Sequence, residues 1–158
     1  MTVTVRGAGV LGLCIATELI SRGINVRIFD SKGRPNSHAC SWWAGGMLAP
    51  FCEAESAEPI VMRLGLEAEK WWSKHGAIIH KTGTLALALP RDHADLERFA
   101  SLTTEYQWVN QSEISHLESE LESRFRRGLF YAQESHLNPR QALIALADGL
   151  KTKGIEIE

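Results

Sequence analysis

Three glycines at positions 7, 9 and 12, in the stretch GAGVLG, constrain the fold of this chain more than any other feature. They lie between an alternating β-branched run, TVTVR, and a run in which Leu11, Ile15, Leu19 and Ile20 recur at helical spacing up to Gly23. A short strand feeding a tight turn and then a helix has this pattern. INVRIFD follows as a second buried strand. Strand, helix and strand in this order predict a right-handed parallel unit.

Each glycine has its own physical task in a G-x-G-x-x-G turn. Gly7 permits the sharp exit from the strand, Gly9 lets backbone approach a pyrophosphate, and Gly12 lets the helix pack closely on the sheet. The first N–H groups of the helix, those of Val10 and Leu11 included, carry the positive end of its dipole and suit phosphate. Asp30, at the end of the second strand, stands where a carboxylate accepts hydrogen bonds from ribose hydroxyls. The alternative is a tight turn with no ligand, but the strand before, the helix after and the spaced acid together favour a dinucleotide. A carboxylate there repels a ribose 2′-phosphate, which disfavours NADP and leaves NAD and FAD open.

The totals narrow the function classes. A formal charge of −2 with both signs interspersed offers no basic stripe to nucleic acid. Three cysteines (Cys14, Cys40, Cys52) without C-x-x-C spacing fit a reducing, cytoplasmic setting rather than a disulfide framework. Six histidines never reach the spacing of a zinc site, so no metal is expected. Glu18 interrupts the apolar run after Arg6, no cleavage site follows, and no run is long enough for a membrane span.

Further along, residues 31–59 carry two glycine-rich patches and three prolines with little periodicity, the material of a functional loop. A helix is predicted from Ile60 to near Gly76, with Ile60, Leu64, Ala68 and Trp71 on one face. AIIHKTGTLALALP predicts a hairpin about Lys81-Thr82-Gly83, RDHADLERFASLTTE a helix, YQWVN a strand and QSEISHLES a short helix. Asn138 and Pro139 form a clear helix start, with Ala142, Leu143, Leu146 and Leu150 inward and Gly154 as the stop. IEIE then begins a third strand. The fold class predicted is α/β: a partial Rossmann-type parallel sheet of strands near 2–6, 25–29 and 155–158, with part of an antiparallel-sheet substrate domain. The expected divisions are 1–59 (the βαβ unit and loop), 60–135 (antiparallel region) and 136–158 (helix and strand returning to the first domain).

CSWWAGGMLAP at 40–50, EAE at 53–55, TGTLALAL and GLFYAQESHLNPRQAL supply a second signature. Together with the N-terminal unit they resemble the FAD-dependent oxidoreductases of the D-amino-acid oxidase superfamily, most closely its thiamine-biosynthesis glycine oxidases. The resemblance implies FAD, with Val10 and Leu11 at the pyrophosphate, Asp30 and Ser31 on the adenosine side, and Cys40 and Ser41 at the phosphates or ribityl chain. It places Gly45, Gly46 and Met47 at the isoalloxazine ring. Two consecutive glycines independently let backbone N–H groups approach a planar ring, and Met47 is a soft apolar neighbour for one; a mobile loop without ligand is the alternative.

Three departures from the family pattern stand out. Trp42 and Trp43 replace small residues, and either narrow the space beside a flavin or pack under the loop. Asn138 replaces an acid before proline and keeps its capping chemistry. Asp30 stands for the more frequent Glu and reaches one methylene less far. The implied activity is oxidation of glycine or another small amine to an imine, with O₂ giving hydrogen peroxide, in thiamine biosynthesis. Sarcosine, a D-amino acid or an aminomethyl group on a tRNA base are the other substrates considered, and a truncated noncatalytic nucleotide-binding module is the reading from a different class. The family's substrate-binding arginine matches no position here, so no catalytic residue is assigned. The chain alone is expected to be inactive, a homo-oligomer or the partner of a missing C-terminal half.

Overall fold

The computed structural model of the chain describes residues 1–121 and 124–158. In chain order the regular elements are Thr2–Arg6 (β1), Val10–Ser21 (α1), Asn25–Phe29 (β2), Met47–Leu48 (β3), Pro50–Glu53 (α2), Pro59–Gly65 (α3), Ala68–Lys74 (α4), Ile79–His80 (β4) and Thr84–Leu87 (β5). There follow His93–Leu102 (α5), Gln107–Asn110 (β6), Gln111–Leu117 (α6), Arg127–Tyr131 (β7), Ser135–Leu137 (β8) and Pro139–Lys151 (α7). The chain divides into two compact units. The first comprises Met1–Gly46, Lys70–Ile79 and Leu137–Glu158, the second Met47–Glu69 and His80–His136.

In the first unit β1 and β2 pair in parallel from Thr2↔Asn25 to Arg6↔Phe29, as the strand–helix–strand pattern predicts. The IEIE segment adds a third line of parallel pairing through an Ile28↔Ile157 bridge. Glu158 N–H donates to Ile28 O at 2.9 Å and Asp30 N–H to Glu158 O at 2.8 Å. The Arg27 guanidinium grips the Glu158 carboxylate through two bonds of 3.1 and 2.8 Å. Val5, Ala8, Leu13, Ala16, Val26 and Ile28 form one core with Leu143, Leu146, Ala147 and Leu150 of α7.

The inward face of α1 differs from expectation. Leu13, Ala16 and Thr17 are buried, whereas Leu11 is 72% exposed and Ile15 43%. At 100° per residue Leu13, Ala16, Thr17 and Ile20 share one face of the helix, the one turned to the core, and Leu11 and Ile15 fall on the opposite face. In α7 the predicted inward set is buried, with Ala147 added. Asn138 Oδ1 caps this helix, accepting from Arg140 N–H at 3.0 Å and Gln141 N–H at 3.3 Å.

The second unit has an antiparallel sheet in the order β5-β7-β6, with Thr84↔Tyr131 and Gln107↔Phe130 in register. A smaller sheet runs β3-β8-β4, with Met47 opposite His136. The predicted hairpin about Lys81-Thr82-Gly83 is therefore not one: β4 and β5 belong to different sheets. Gly83 has φ +79°, a Cβ there would come 2.5 Å from the Phe130 ring, and its N–H donates to Glu134 O at 3.1 Å. The turn is thus docked on the β7–β8 connection, which separates its two arms. Phe51, Leu96, Ala100, Leu129 and Tyr131 form the core of this unit. The buried Tyr131 hydroxyl is satisfied by Thr103 Oγ1 at 2.7 Å.

The single helix predicted over 60–76 is two, α3 and α4. Ile60 and Leu64 of the expected apolar face are 40% and 59% exposed. Gly65 ends α3 where a Cβ would already stand 3.1 Å from Pro50 Cβ, a close approach that only glycine gives freely. No helix among the described residues is long and apolar enough to cross a membrane.

Candidate functional site

The site is built at the carboxyl end of β1. Gly7 leaves the strand with φ +101°, a conformation few L-residues adopt, and its N–H donates to Phe29 O at 2.8 Å. Gly9 precedes α1 in extended conformation and supplies no side-chain cap. The first-turn N–H groups therefore point outward without intrahelical acceptors, as at any helix start. The Val10 N–H is taken by Ser41 Oγ at 3.1 Å, and Leu11 beside it is open to solvent. A Cβ on Gly9 would meet nothing closer than that same Ser41 Oγ, at 3.3 Å. A Cβ on Gly12 would fall 1.9 Å from Gly7 O, so this glycine is required by the packing of α1 on the turn.

Asp30 is held by backbone on both sides. Oδ2 accepts from Ala8 N–H at 2.7 Å and Oδ1 from Lys32 N–H at 2.8 Å. These two bonds hold its carboxyl below the ordinary value, the Ala8 bond most and the Lys32 bond next, with burial opposing. Each oxygen keeps a second lone pair. A cavity of about 320 Å³ opens on them, lined by Ala8, Ser31, Gly33, Arg34, Asn36 and His38 among others.

The depressed value has a consequence for acid stability. A carboxyl whose folded pKa lies below its unfolded one stabilises the fold above the unfolded value, about 3.9, and loses that contribution as pH falls through the folded value. Acid titration followed by NMR is expected to show the Ala8 and Lys32 amide resonances moving together with Asp30 protonation, below about pH 4.

Of the residues predicted from the sequence, the structure brings Gly7, Gly9, Val10, Leu11, Gly12, Asp30, Ser31 and Ser41 around this one turn. Cys40, exposed, opens the 3₁₀ turn Cys40–Trp43 that carries Ser41. Gly45 and Gly46 make a separate turn: Gly46 has φ +74°, accepts from Leu137 N–H at 2.9 Å, and has no room for a Cβ, which would lie 2.1 Å from Leu137 O. Met47, the first residue of the second unit, is 57% exposed at the start of β3. The two tryptophans have different environments. Trp42 packs on the first core, while Trp43 is 65% exposed with its indole N–H on Ser37 O at 2.9 Å.

Two residues of consequence carry no prior expectation. Arg140 donates through Nε to Trp42 O at 3.4 Å and sets its guanidinium 5.1 Å from the Trp43 ring centroid, bracing the loop that presents Ser41. Glu134 is buried, and its Oε1 accepts from Phe51 N–H at 3.0 Å and Cys52 N–H at 2.8 Å at the start of α2. An acid two residues before His136, in the segment already set apart by its resemblance, is the one signal that marks it. Burial pushes the Cys14 thiol up to about 11 and the Cys52 thiol higher still, so neither presents a thiolate near neutral pH. Among the described residues no cluster of His, Cys, Asp and Glu could hold a metal ion. The arrangement can take an anionic group at the start of α1 and a hydroxyl-bearing ring at Asp30.

A sequence profile of the DAO family, FAD dependent oxidoreductase, matches residues 2–158. A Rhizobium etli protein that carries the name thiamine biosynthesis oxidoreductase ThiO is 46% identical over 152 residues, which is 96% of this chain and 46% of that protein. Glycine oxidase from Geobacillus kaustophilus superposes with a TM-score of 0.78 at 23% identity, over 98% of this chain and 45% of its own. A fructosyl peptide oxidase mutant superposes at 0.81 with 20% identity, over 99% and 40%. Iminodiacetate oxidase from Chelativorans sp. BNC1 gives 0.78 at 17%, over 100% and 46%. At these identities the superpositions establish the shared fold. The chain spans about half the length of the relatives it matches.

Proposed function

Because this chain belongs to the family of FAD-dependent oxidoreductases, we propose that it is the FAD-binding portion of a cytoplasmic oxidase of glycine or a similarly small amine, acting in thiamine biosynthesis. The observation that carries the cofactor half of this reading is the joint geometry of Gly9, Val10, Ser41 and Asp30. The 46% identity to the Rhizobium etli protein supports the pathway half.

The residues present fit the cofactor. The start of α1 offers N–H donors with no Cβ on Gly9 to obstruct a pyrophosphate. Ser41 accepts from Val10 and keeps its own O–H to donate to a phosphate oxygen. Asp30, already oriented by Ala8 and Lys32, offers its remaining lone pairs to ribose hydroxyls, with Ser31 beside it in the same cavity. Its charge opposes a 2′-phosphate. On the family resemblance Cys40 is assigned to the phosphates or ribityl chain, and Gly45, Gly46 and Met47 to the flavin ring. When bound, FAD supplies a hydride acceptor that O₂ restores with release of hydrogen peroxide.

The test is a peroxide-coupled assay of the full-length protein loaded with FAD, with glycine, sarcosine, D-alanine and iminodiacetate compared by kcat/KM. Glycine is expected to lead; retention of FAD with no peroxide from any of these amines would refute the substrate assignment and leave the cofactor assignment standing. Asp30→Ala is expected to weaken FAD binding by about 1–3 kcal/mol, the cost of leaving ribose hydroxyls unpaired. FAD titration by fluorescence quenching checks it, with unfolding in the absence of FAD measured alongside to separate out the loss of the Ala8 and Lys32 bonds.

A further inference from the structure

The first unit holds a second cavity, of about 220 Å³, bordered by α1, the residues just after α4 and the C-terminal end of α7. It shares no lining residue with the cavity beside Asp30. Among the described residues two polar atoms in its lining are buried without a hydrogen-bond partner: Oγ1 of Thr17, a residue only 3% exposed, and Nε2 of His75. A threonine within a helix commonly turns its hydroxyl back to the carbonyl one turn earlier. Thr17 forgoes that bond, and a buried hydroxyl without a partner is costly unless a ligand or water meets it.

The charge around the cavity favours an anion. Lys74 and Lys153 line it, and among the described residues neither stands in an ion pair. Among the described residues the one acidic group acting on His75 is Glu18, whose oxygens are engaged by the Trp71 indole N–H at 2.6 Å and by Arg22 at 3.7 Å. A helix C-terminus ordinarily presents bare carbonyls that repel anions. Here those of Asp148, Leu150 and Lys151 accept from the N–H groups of Thr152, of Lys153 and Ile155, and of Gly154, and Gly149 O accepts from the Thr152 hydroxyl. The lining therefore offers donors, with Leu146 as an apolar wall and open space where Gly149 has no side chain. At roughly 30 Å³ per water the volume admits a tetrahedral anion with solvent around it.

We propose that this cavity binds a small oxyanion of the phosphate class, as free phosphate or as the phosphate group of a monoester, through Thr17, His75, Lys74 and Lys153. Protonation of His75 adds a donor to an anion already flanked by two ammonium groups. Among the described residues the charges facing this ring are Lys74 at the end of α4, Lys153 from beyond α7 and Glu18 from α1; burial first, then the two lysines, hold its pKa below the ordinary value. A bound anion favours the charged ring, so His75 takes up a proton more readily with the anion in place than without it.

The experiment is thermal unfolding of the full-length, FAD-loaded protein in inorganic phosphate, in glycerol phosphate, and in potassium chloride at matched ionic strength. The two phosphates are expected to raise Tm more than chloride does, and whichever acts at lower concentration identifies the source of the phosphate group. Thr17→Val is expected to raise Tm in phosphate-free buffer, since it removes the unpartnered hydroxyl, and to abolish the phosphate-dependent rise. Lys153→Gln is expected to increase the half-saturating concentration about fivefold to tenfold, the loss of one charge-assisted contact. Both positions lie outside the glycine turn, so these losses distinguish this site from phosphate held at the start of α1. An equal rise in chloride, or an undiminished phosphate effect in Thr17→Val, overturns the proposal and leaves the cavity to water; if that variant does not fold, an undiminished effect in Lys153→Gln does the same.

Discussion

Gly12→Ala is expected to lose about 3 kcal/mol or more of stability, while Gly9→Val three residues away keeps the fold and loses FAD. At position 12 the added methyl falls 1.9 Å from Gly7 O, 3.1 Å from Gly7 C and 3.3 Å from Val5 Cγ1. Two of these atoms are backbone of Gly7, which its N–H bond to Phe29 O holds in place, so α1 itself must lift. Lifting it opens the core that Leu13 and Ala16 share with Ile28 and Leu143. Overpacking a core typically costs about 1–3 kcal/mol, and a collision with fixed backbone belongs at or above the top of that range. That is a large share of the about 5–15 kcal/mol by which a domain is stable. At position 9 the nearest obstacle is the rotatable Ser41 Oγ at 3.3 Å, so the cost to the fold is small and the branched side chain instead occupies the pyrophosphate's approach. Urea unfolding and FAD titration of both variants separate the two roles; equal destabilisation of the two would contradict this division of labour.

Glu134→Ala is expected to cost roughly 2–4 kcal/mol, since two backbone donors, one of them buried, lose their acceptor at once. The N-cap residue of the helix they belong to, Ala49, offers no side-chain cap. Glu134 thus caps α2 from 83 residues away in sequence, across to Phe51. Glu134→Gln keeps an acceptor in the same place and is expected to retain most of the stability. Chemical denaturation of the three proteins checks this, and equal loss in the Gln and Ala variants would shift the role from hydrogen bonding to charge.

The parallel unit and the α7 start were legible in the sequence because both rest on local chemistry. Glycine spacing sets the turn, and Asn138 with Pro139 announces the helix whether or not anything packs against it. The α1 contact face was not legible from apolarity, because apolar residues stand on both sides of the helix: Leu13, Ala16 and Ile20 face the core and Leu11 and Ile15 face away. The partners of β4 and β5 were hidden for a different reason. Alternation marks a strand but says nothing of its neighbour, and Gly83, which suggests a hairpin, instead docks the turn against Phe130 and Glu134. At the site, the glycines and Asp30 could be named from spacing. The Ala8–Asp30 and Val10–Ser41 bonds depend on how two loops meet in space, which spacing does not reveal.

The first unit is assembled from three stretches, Met1–Gly46, Lys70–Ile79 and Leu137–Glu158. During synthesis its opening strand–helix–strand emerges long before the α7 residues that complete its core. Roughly 90 residues separate Gly46 from Leu137, and at about 5–20 residues per second the ribosome takes on the order of 5–20 s to cross them. Over that interval the inner faces of β1, β2 and α1 await Leu143, Leu146 and Leu150. Until Leu137–Glu158 has left the exit tunnel, this half-built core stands open to proteases and holdase chaperones.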